Sequence, residues 1–128
     1  MTTKITIDDL YSDTGSFDEE AVLHTLKDKV VFTKENEVLF IADPTKLKDR
    51  NVILLYALAK KILKMNQKID SEIITNAEIM DKTKLKKSNS SVTIMRLKEK
   101  KILIPSGSGY EIPMFKVGEV LSLLEETK

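Results

Sequence analysis

The chain contains no cysteine and no tryptophan, and its 128 residues include one histidine and three prolines. Without cysteine it can form neither a disulfide nor a thiolate metal site. Lone His24 has no second histidine or cysteine to share a metal, so it reads as a surface or core-edge residue. Long apolar runs are missing too. The longest, Val52 to Ala59, falls far short of the roughly 20 residues that cross a bilayer, which predicts no membrane partner. Lys4 is followed by Asp8 and Asp9 rather than by an apolar stretch, so no signal peptide is expected and the cytoplasm is the expected location. Net charge is also nearly absent, at +1, which taken alone excludes a strong attraction to polyanions. What is present is 41% hydrophobic and 32% charged residues, the balance of a globular chain of one domain, or of a small domain with an extension.

The small net charge dissolves when the chain is divided. Residues 1–49 hold six Lys or Arg against eleven acids, a net −5, and residues 50–128 hold fifteen against nine, a net +6. Within the second half, Lys82, Lys84, Lys86, Lys87, Arg96, Lys98, Lys100 and Lys101 stand against Glu99 alone, a net +7 in twenty residues. Charge asymmetry of this kind points to two segments with different tasks, 1–49 an acidic extension packing on the core and 50–128 the main domain.

Capping-box spacing at Ser16 and Glu19, with Asp18 as an alternative cap, predicts a helix to about Lys29; Ile5 and Ile7 before it alternate like a short strand. Val30-Val31-Phe32 and Val38-Leu39-Phe40-Ile41 flank a polar link and predict a β-hairpin, closed by Asp43-Pro44. A helix opened by Asp49 or Asn51 is expected to run to about Asn66. It is apolar on nearly every side, whereas a surface helix shows one stripe. Its second cover is either the N-terminal hairpin or a second subunit. Ile69 to Ile74 predicts a short strand. Thr75 and Glu78 repeat the capping-box spacing ahead of a helix over Asn76 to Lys82. After a turn at Lys84 to Lys87, Ser88 or Asn89 is expected to cap a helix to about Lys100. Ile102 to Pro105 and Tyr110 to Pro113 form a second hairpin around Ser106-Gly107-Ser108-Gly109, and a last helix spans Met114 to Glu125.

From residue 51 on, the order is helix, short strand, short helix, turn, helix, hairpin, helix. With Leu97-Lys98-Glu99-Lys100-Lys101-Ile102-Leu103-Ile104 leading a helix straight into a strand, and Ser88-Asn89-Ser90-Ser91 as its small polar start, the segment resembles the winged helix-turn-helix superfamily of DNA-binding proteins. The resemblance extends over residues 51–125. It implies an α+β fold, a winged helix-turn-helix domain carrying an N-terminal helix plus β-hairpin extension. It also implies double-stranded DNA as partner and a transcriptional regulator that reads the major groove with helix 88–100. A homodimer is expected from the all-round apolar helix 51–66 together with the final helix. On that helix Asn89, Ser91, Val92 and Arg96 are the expected base contacts, Asn suiting adenine, Arg guanine and Val a thymine methyl. Lys82, Lys84, Lys86, Lys87 and Lys98 are the expected phosphate contacts. Ile94 and Leu97 are expected in the core with Ser90 beside them, and Val92 and Met95 outside.

Two departures from the superfamily pattern stand out. Lys101 occupies the place before the first wing strand where glycine is common, and the wing tip Ser106 to Gly109 carries no cation, which predicts a weak wing contact. The alternative is a winged-helix protein-interaction module in a larger assembly, favoured by outward Val92 and Met95, the uncharged tip and the acidic first half. A lysine-rich solvated face is the plain alternative, since nineteen of the 21 basic residues are lysine. No nucleophile–base pair, metal cluster, phosphate loop or cofactor fingerprint is found, so neither an enzyme, a cofactor nor a small-molecule ligand is expected. Asp18, Glu19 and Glu20 suit a helix N-terminus better than a paired-carboxylate site.

Overall fold

Among the described residues the apolar run at Val52 lies in the longest helix, and the other described elements pack around it. The structure, a computed structural model, describes residues 19–43 and 46–126; the expected strand at Ile5 and Ile7 and the caps at Ser16 and Asp18 lie outside them. The architecture is α+β. In chain order the described residues form α1 (Glu19–Leu26), β1 (Val30–Phe32), β2 (Val38–Phe40), α2 (Asp49–Met65), α3 (Asn76–Thr83), α4 (Lys87–Glu99), β3 (Ile104–Ser106), β4 (Gly109–Glu111), a 3₁₀ turn at Met114–Lys116, and α5 (Val117–Glu126). No helix among them is long and apolar enough to cross a membrane.

Every residue of α2 from Asn51 to Ala59 is buried, as are Lys61, Ile62 and Leu63. The covers come from the same chain. Helix α1 brings Val22 and Leu26, the first hairpin brings Val30 and Val38, and α3, α4 and α5 bring Ile79, Ile94, Leu97, Val117 and Val120, all in one core cluster. The all-round apolar character of α2 is thereby satisfied within one chain, and it gives no reason for a second subunit. Polar ties hold the extension in place. The Asn66 amide donates to Glu19 Oε1 at 2.8 Å, and the Asn36 amide donates to the Lys68 carbonyl at 3.0 Å.

The first hairpin pairs Val30 with Phe40, Val31 with Leu39 and Phe32 with Val38. Strand alternation sends Val30 and Val38 inward and leaves Val31 and Leu39, with Ile41, as an exposed apolar row. Helix α1 ends at Leu26 rather than Lys29, because Lys29 donates back to the Leu26 carbonyl and turns the chain into β1.

The strand expected over Ile69 to Ile74 reduces to one bridge. Ile74 donates to the Tyr110 carbonyl at 2.9 Å and accepts from the Tyr110 N–H at 2.8 Å. Among the described residues no strand pairs with Asp70, Ser71 or Glu72 to extend the bridge. The second hairpin is shorter than expected: β3 and β4 pair Ile104 with Glu111, Pro105 with Tyr110 and Ser106 with Gly109, around a turn at Gly107 and Ser108. Gly107 takes φ +54°, and a Cβ on Gly109 would stand 2.2 Å from the Ile74 carbonyl oxygen. Two of the four glycines thus sit where a side chain is strained or blocked.

Helix ends elsewhere do without glycine. Gln67 and Lys101 hold φ of 59° and 61°. Each closes a Schellman motif: Lys68 donates to Leu63 and Gln67 to Lys64 after α2; Ile102 donates to Leu97 and Lys101 to Lys98 after α4. Lys84, at φ 65°, ends α3 in the same left-handed region. Buried Lys61 ties α2 to the segment before α3 and to the residue after β4, its Nζ donating to Glu72 Oε2 at 2.7 Å and to the Ile112 carbonyl at 2.8 Å.

Candidate nucleic-acid interface

Helix α3, a three-residue turn and α4 make a compact unit. Thr75 caps α3, its hydroxyl accepting from the Glu78 N–H at 3.1 Å. The Glu78 carboxylate does not complete the expected capping box. It turns to α2, where it accepts from the hydroxyl of buried Tyr56 and pairs with Lys60 at 3.0 Å. Burial, then the hydrogen bond and charge of Glu78, push the Tyr56 hydroxyl well above the usual phenol range. Helix α3 is therefore fixed to α2 at its first turn. It is fixed to α4 by Asn76, whose amide oxygen accepts from the hydroxyl of buried Ser90 and whose amide nitrogen donates to Ser91 Oγ at 3.2 Å.

Helix α4 is entered two or three residues earlier than expected. Lys86 is the cap residue, with no side-chain hydrogen bond to the helix, and Ser88 and Asn89 lie inside the first turn. No acid occupies that turn. The positive end of the helix dipole instead meets Lys84, Lys86 and Lys87, all exposed. Each cation there opposes the dipole by about 0.3–1 kcal/mol, the wrong sign for helix stability and the right sign for an external anion. Among the described residues, none of Lys82, Lys84, Lys86, Lys87 or Arg96 forms an ion pair.

Ser90, Ile94 and Leu97 are buried and define the inner side of α4; Val92 and Met95 are exposed at 45% and 57%. At 3.6 residues per turn the remaining expected contacts separate into two flanks. Asn89 and Arg96, seven residues apart, share one flank with Thr93 and Lys100. Ser91 and Lys98 occupy the other. That second flank is already engaged inside the protein: Ser91 accepts from Asn76, and Lys98 Nζ lies 5.5 Å from the centre of the Tyr110 ring. Val92, Met95 and Glu99 lie between the flanks, farthest from the core. Asn89, Val92 and Arg96 thus fall on one continuous exposed surface, and Ser91 stands apart from it.

The Asn89 flank faces a further group that the sequence reading did not join to it. Arg96, Leu97, Thr93 and Lys100 line one side of a cleft of about 420 Å³, and Lys48, Asp49 and Arg50 from the start of α2 line the other. Lys48 and Arg50 belong to a part of the sequence far from the lysine-rich run 82–101, so only the fold brings them to α4. A larger cleft, about 1020 Å³, lies among α1, α2 and α5 and includes exposed His24; Lys27, Lys29 and Lys46 there are mixed with Asp28 and Glu125. It shares no residue with α4. The described residues contain no group of three or more His, Asp or Glu placed to hold a metal ion.

No protein-family model matches the chain, and neither a curated protein nor a solved structure is significantly similar to it.

Proposed function

We propose that the chain is a sequence-specific DNA-binding protein of winged helix-turn-helix type, a transcriptional regulator that lays α4 in the major groove. One observation carries the reading: the N-terminus of α4 has no acid and no side-chain cap, and presents Lys84, Lys86 and Lys87 unpaired to solvent. On this reading α3 and α4 are the helix-turn-helix, β3 and β4 the wing, and the Ile74–Tyr110 bridge the short third strand. Asn89, Val92 and Arg96 face base edges, while the lysines hold the phosphates on either side. Ser91 contributes less, because its hydroxyl oxygen is engaged with Asn76. The uncharged turn at Gly107 and Ser108 adds little to affinity.

Fluorescence anisotropy with duplex DNA at several salt concentrations tests this. Neutralising about five phosphates predicts a slope of log affinity against log salt of roughly −4 to −5. No binding at low salt removes the reading. A homodimer would match two α4 helices to successive grooves. Since α2 is covered by its own chain, sedimentation equilibrium at tens of micromolar decides that part separately.

The second reading is a winged-helix protein-interaction module. Exposed Val92 and Met95 at the centre of the outer face favour it, because a solvated face has no use for them. A nuclease-treated pull-down that retains a protein partner, lost in Val92→Ser plus Met95→Ser, supports this reading over DNA.

A further inference from the structure

The cleft between α4 and the start of α2 has a charge arrangement that folding does not explain. Lys48, Arg50, Arg96 and Lys100 line it, with Asp49 as the only acid. Like charges gathered at one place repel, and none of these four cations has an ion-pair partner among the described residues. Lys48 and Arg50 also stand at the positive end of the α2 dipole, where a cation is unfavourable. The Lys48 side chain does not cap the helix. Arg50 is held in place rather than free to swing away: its Nε donates to Asn51 Oδ1 at 3.2 Å and its Nη2 to the Leu123 carbonyl at 3.3 Å. A pre-positioned guanidinium with three exposed cations around it fits a phosphate diester, which carries one negative charge and accepts several donors.

We infer that this cleft seats a backbone phosphate of the DNA, on the Asn89–Arg96 flank of α4 and a helix away from the lysines at its N-terminus. The inference rests on the DNA-binding reading and extends its footprint to α2. It also changes the role of Arg96. Standing beside Lys48 and Arg50, Arg96 grips the backbone at the rim of the groove, and Asn89 and Val92 are left as the base-facing residues of that flank. Lys48 and Lys100 then contribute affinity without sequence preference.

The test compares the wild-type chain with Lys48→Gln plus Lys100→Gln, two exposed positions whose exchange leaves the core untouched. Anisotropy titrations use two duplexes of unrelated sequence across a salt series. The expected result is a salt slope flatter by about 1, the share of one phosphate, and the same proportional loss of affinity on both duplexes. Arg96→Gln is expected to weaken both duplexes equally as well, where a base-reading arginine would weaken the preferred one more. A wild-type chain that binds DNA, with a double variant of unchanged slope, overturns this inference alone. A wild-type chain that binds no duplex overturns it together with the proposed function. In a parallel arm the free chain is titrated with inorganic phosphate. Saturation below a millimolar, lost in the double variant, would assign the cleft to a free phosphate ligand and overturn the DNA footprint; no saturation agrees with a diester seat completed only by the neighbouring contacts.

Discussion

The amide oxygen of Asn76 accepts a hydrogen bond from the hydroxyl of Ser90, joining the first residue of α3 to the buried side of α4. Ser90 is fully buried, so its hydroxyl has no water to replace that partner. Together with the bond from Asn76 to Ser91, this contact ties the start of α3 to the first turn of α4. Ser90→Ala is expected to cost about 1–2 kcal/mol in urea unfolding, the penalty for a buried hydrogen bond lost from one side. Asn76→Ala is expected to cost as much and to release Ser91 as well.

Gly109→Ala is expected to destabilise the protein by about 3 kcal/mol, at the upper end for overpacking, because the new Cβ would fall 2.2 Å from the Ile74 carbonyl oxygen. Backbone, unlike a side-chain tip, cannot move aside there without breaking the Ile74–Tyr110 bridge. Thermal unfolding by circular dichroism reads the loss, and Gly118→Ala, with open space around its Cβ, serves as the control.

Lys101→Gly is expected to have the opposite sign. Lys101 holds φ 61°, where an L-residue pays roughly 1 kcal/mol that glycine does not. Its side chain is exposed, so little packing is lost. A gain of about 0.5–1 kcal/mol in chemical denaturation is the expected outcome. This position shows why some of the fold escaped the sequence. The Schellman closure of α4 is set by Ile102 returning to Leu97, and it forces a left-handed residue at 101 whatever its identity. Gln67 and Lys84 are left-handed for the same kind of reason.

What the sequence revealed was periodic: the α4 side formed by Ser90, Ile94 and Leu97, the two strands of the first hairpin, and the Thr75 cap all follow from local spacing. Contacts across the chain did not show. Nothing in a linear reading joins Lys48 and Arg50 to Arg96, since 45 or more residues separate them and only the packing of α2 on α4 closes the gap. The strand over Ile69 to Ile74 failed in the same way. Its apolar ends suggested pairing, but pairing needs a neighbour, and β4 offers one only at Tyr110.

Lys61→Ala is expected to cost about 3 kcal/mol, since it strips a partner from the Glu72 carboxylate and the Ile112 carbonyl in a largely buried place. Lys61→Met keeps the stem volume and removes only the charge, and it is expected to cost less, with the remainder restored by a second change, Glu72→Gln. Urea unfolding of the three variants measures the coupling.

Tyr56 makes stability fall at high pH. Its folded hydroxyl is raised above the unfolded value of about 10, so the unfolded chain loses the proton first. Stability from this group is full below pH 10 and declines as pH rises beyond it. Urea midpoints measured from pH 8 to 11 are expected to drop less steeply in Tyr56→Phe than in the wild type. Equal slopes would show that Tyr56 titrates normally.

Contact between the exposed face of α4 and DNA is read residue by residue from amide chemical shifts measured by NMR during titration with a duplex. The expected shifts are concentrated at Lys86, Lys87, Asn89, Val92 and Arg96, continue to Lys48 and Arg50, and are small at Val31, Leu39 and Ile41 on the first hairpin. Shifts confined to that hairpin, or none at saturating duplex and low salt, would contradict that contact.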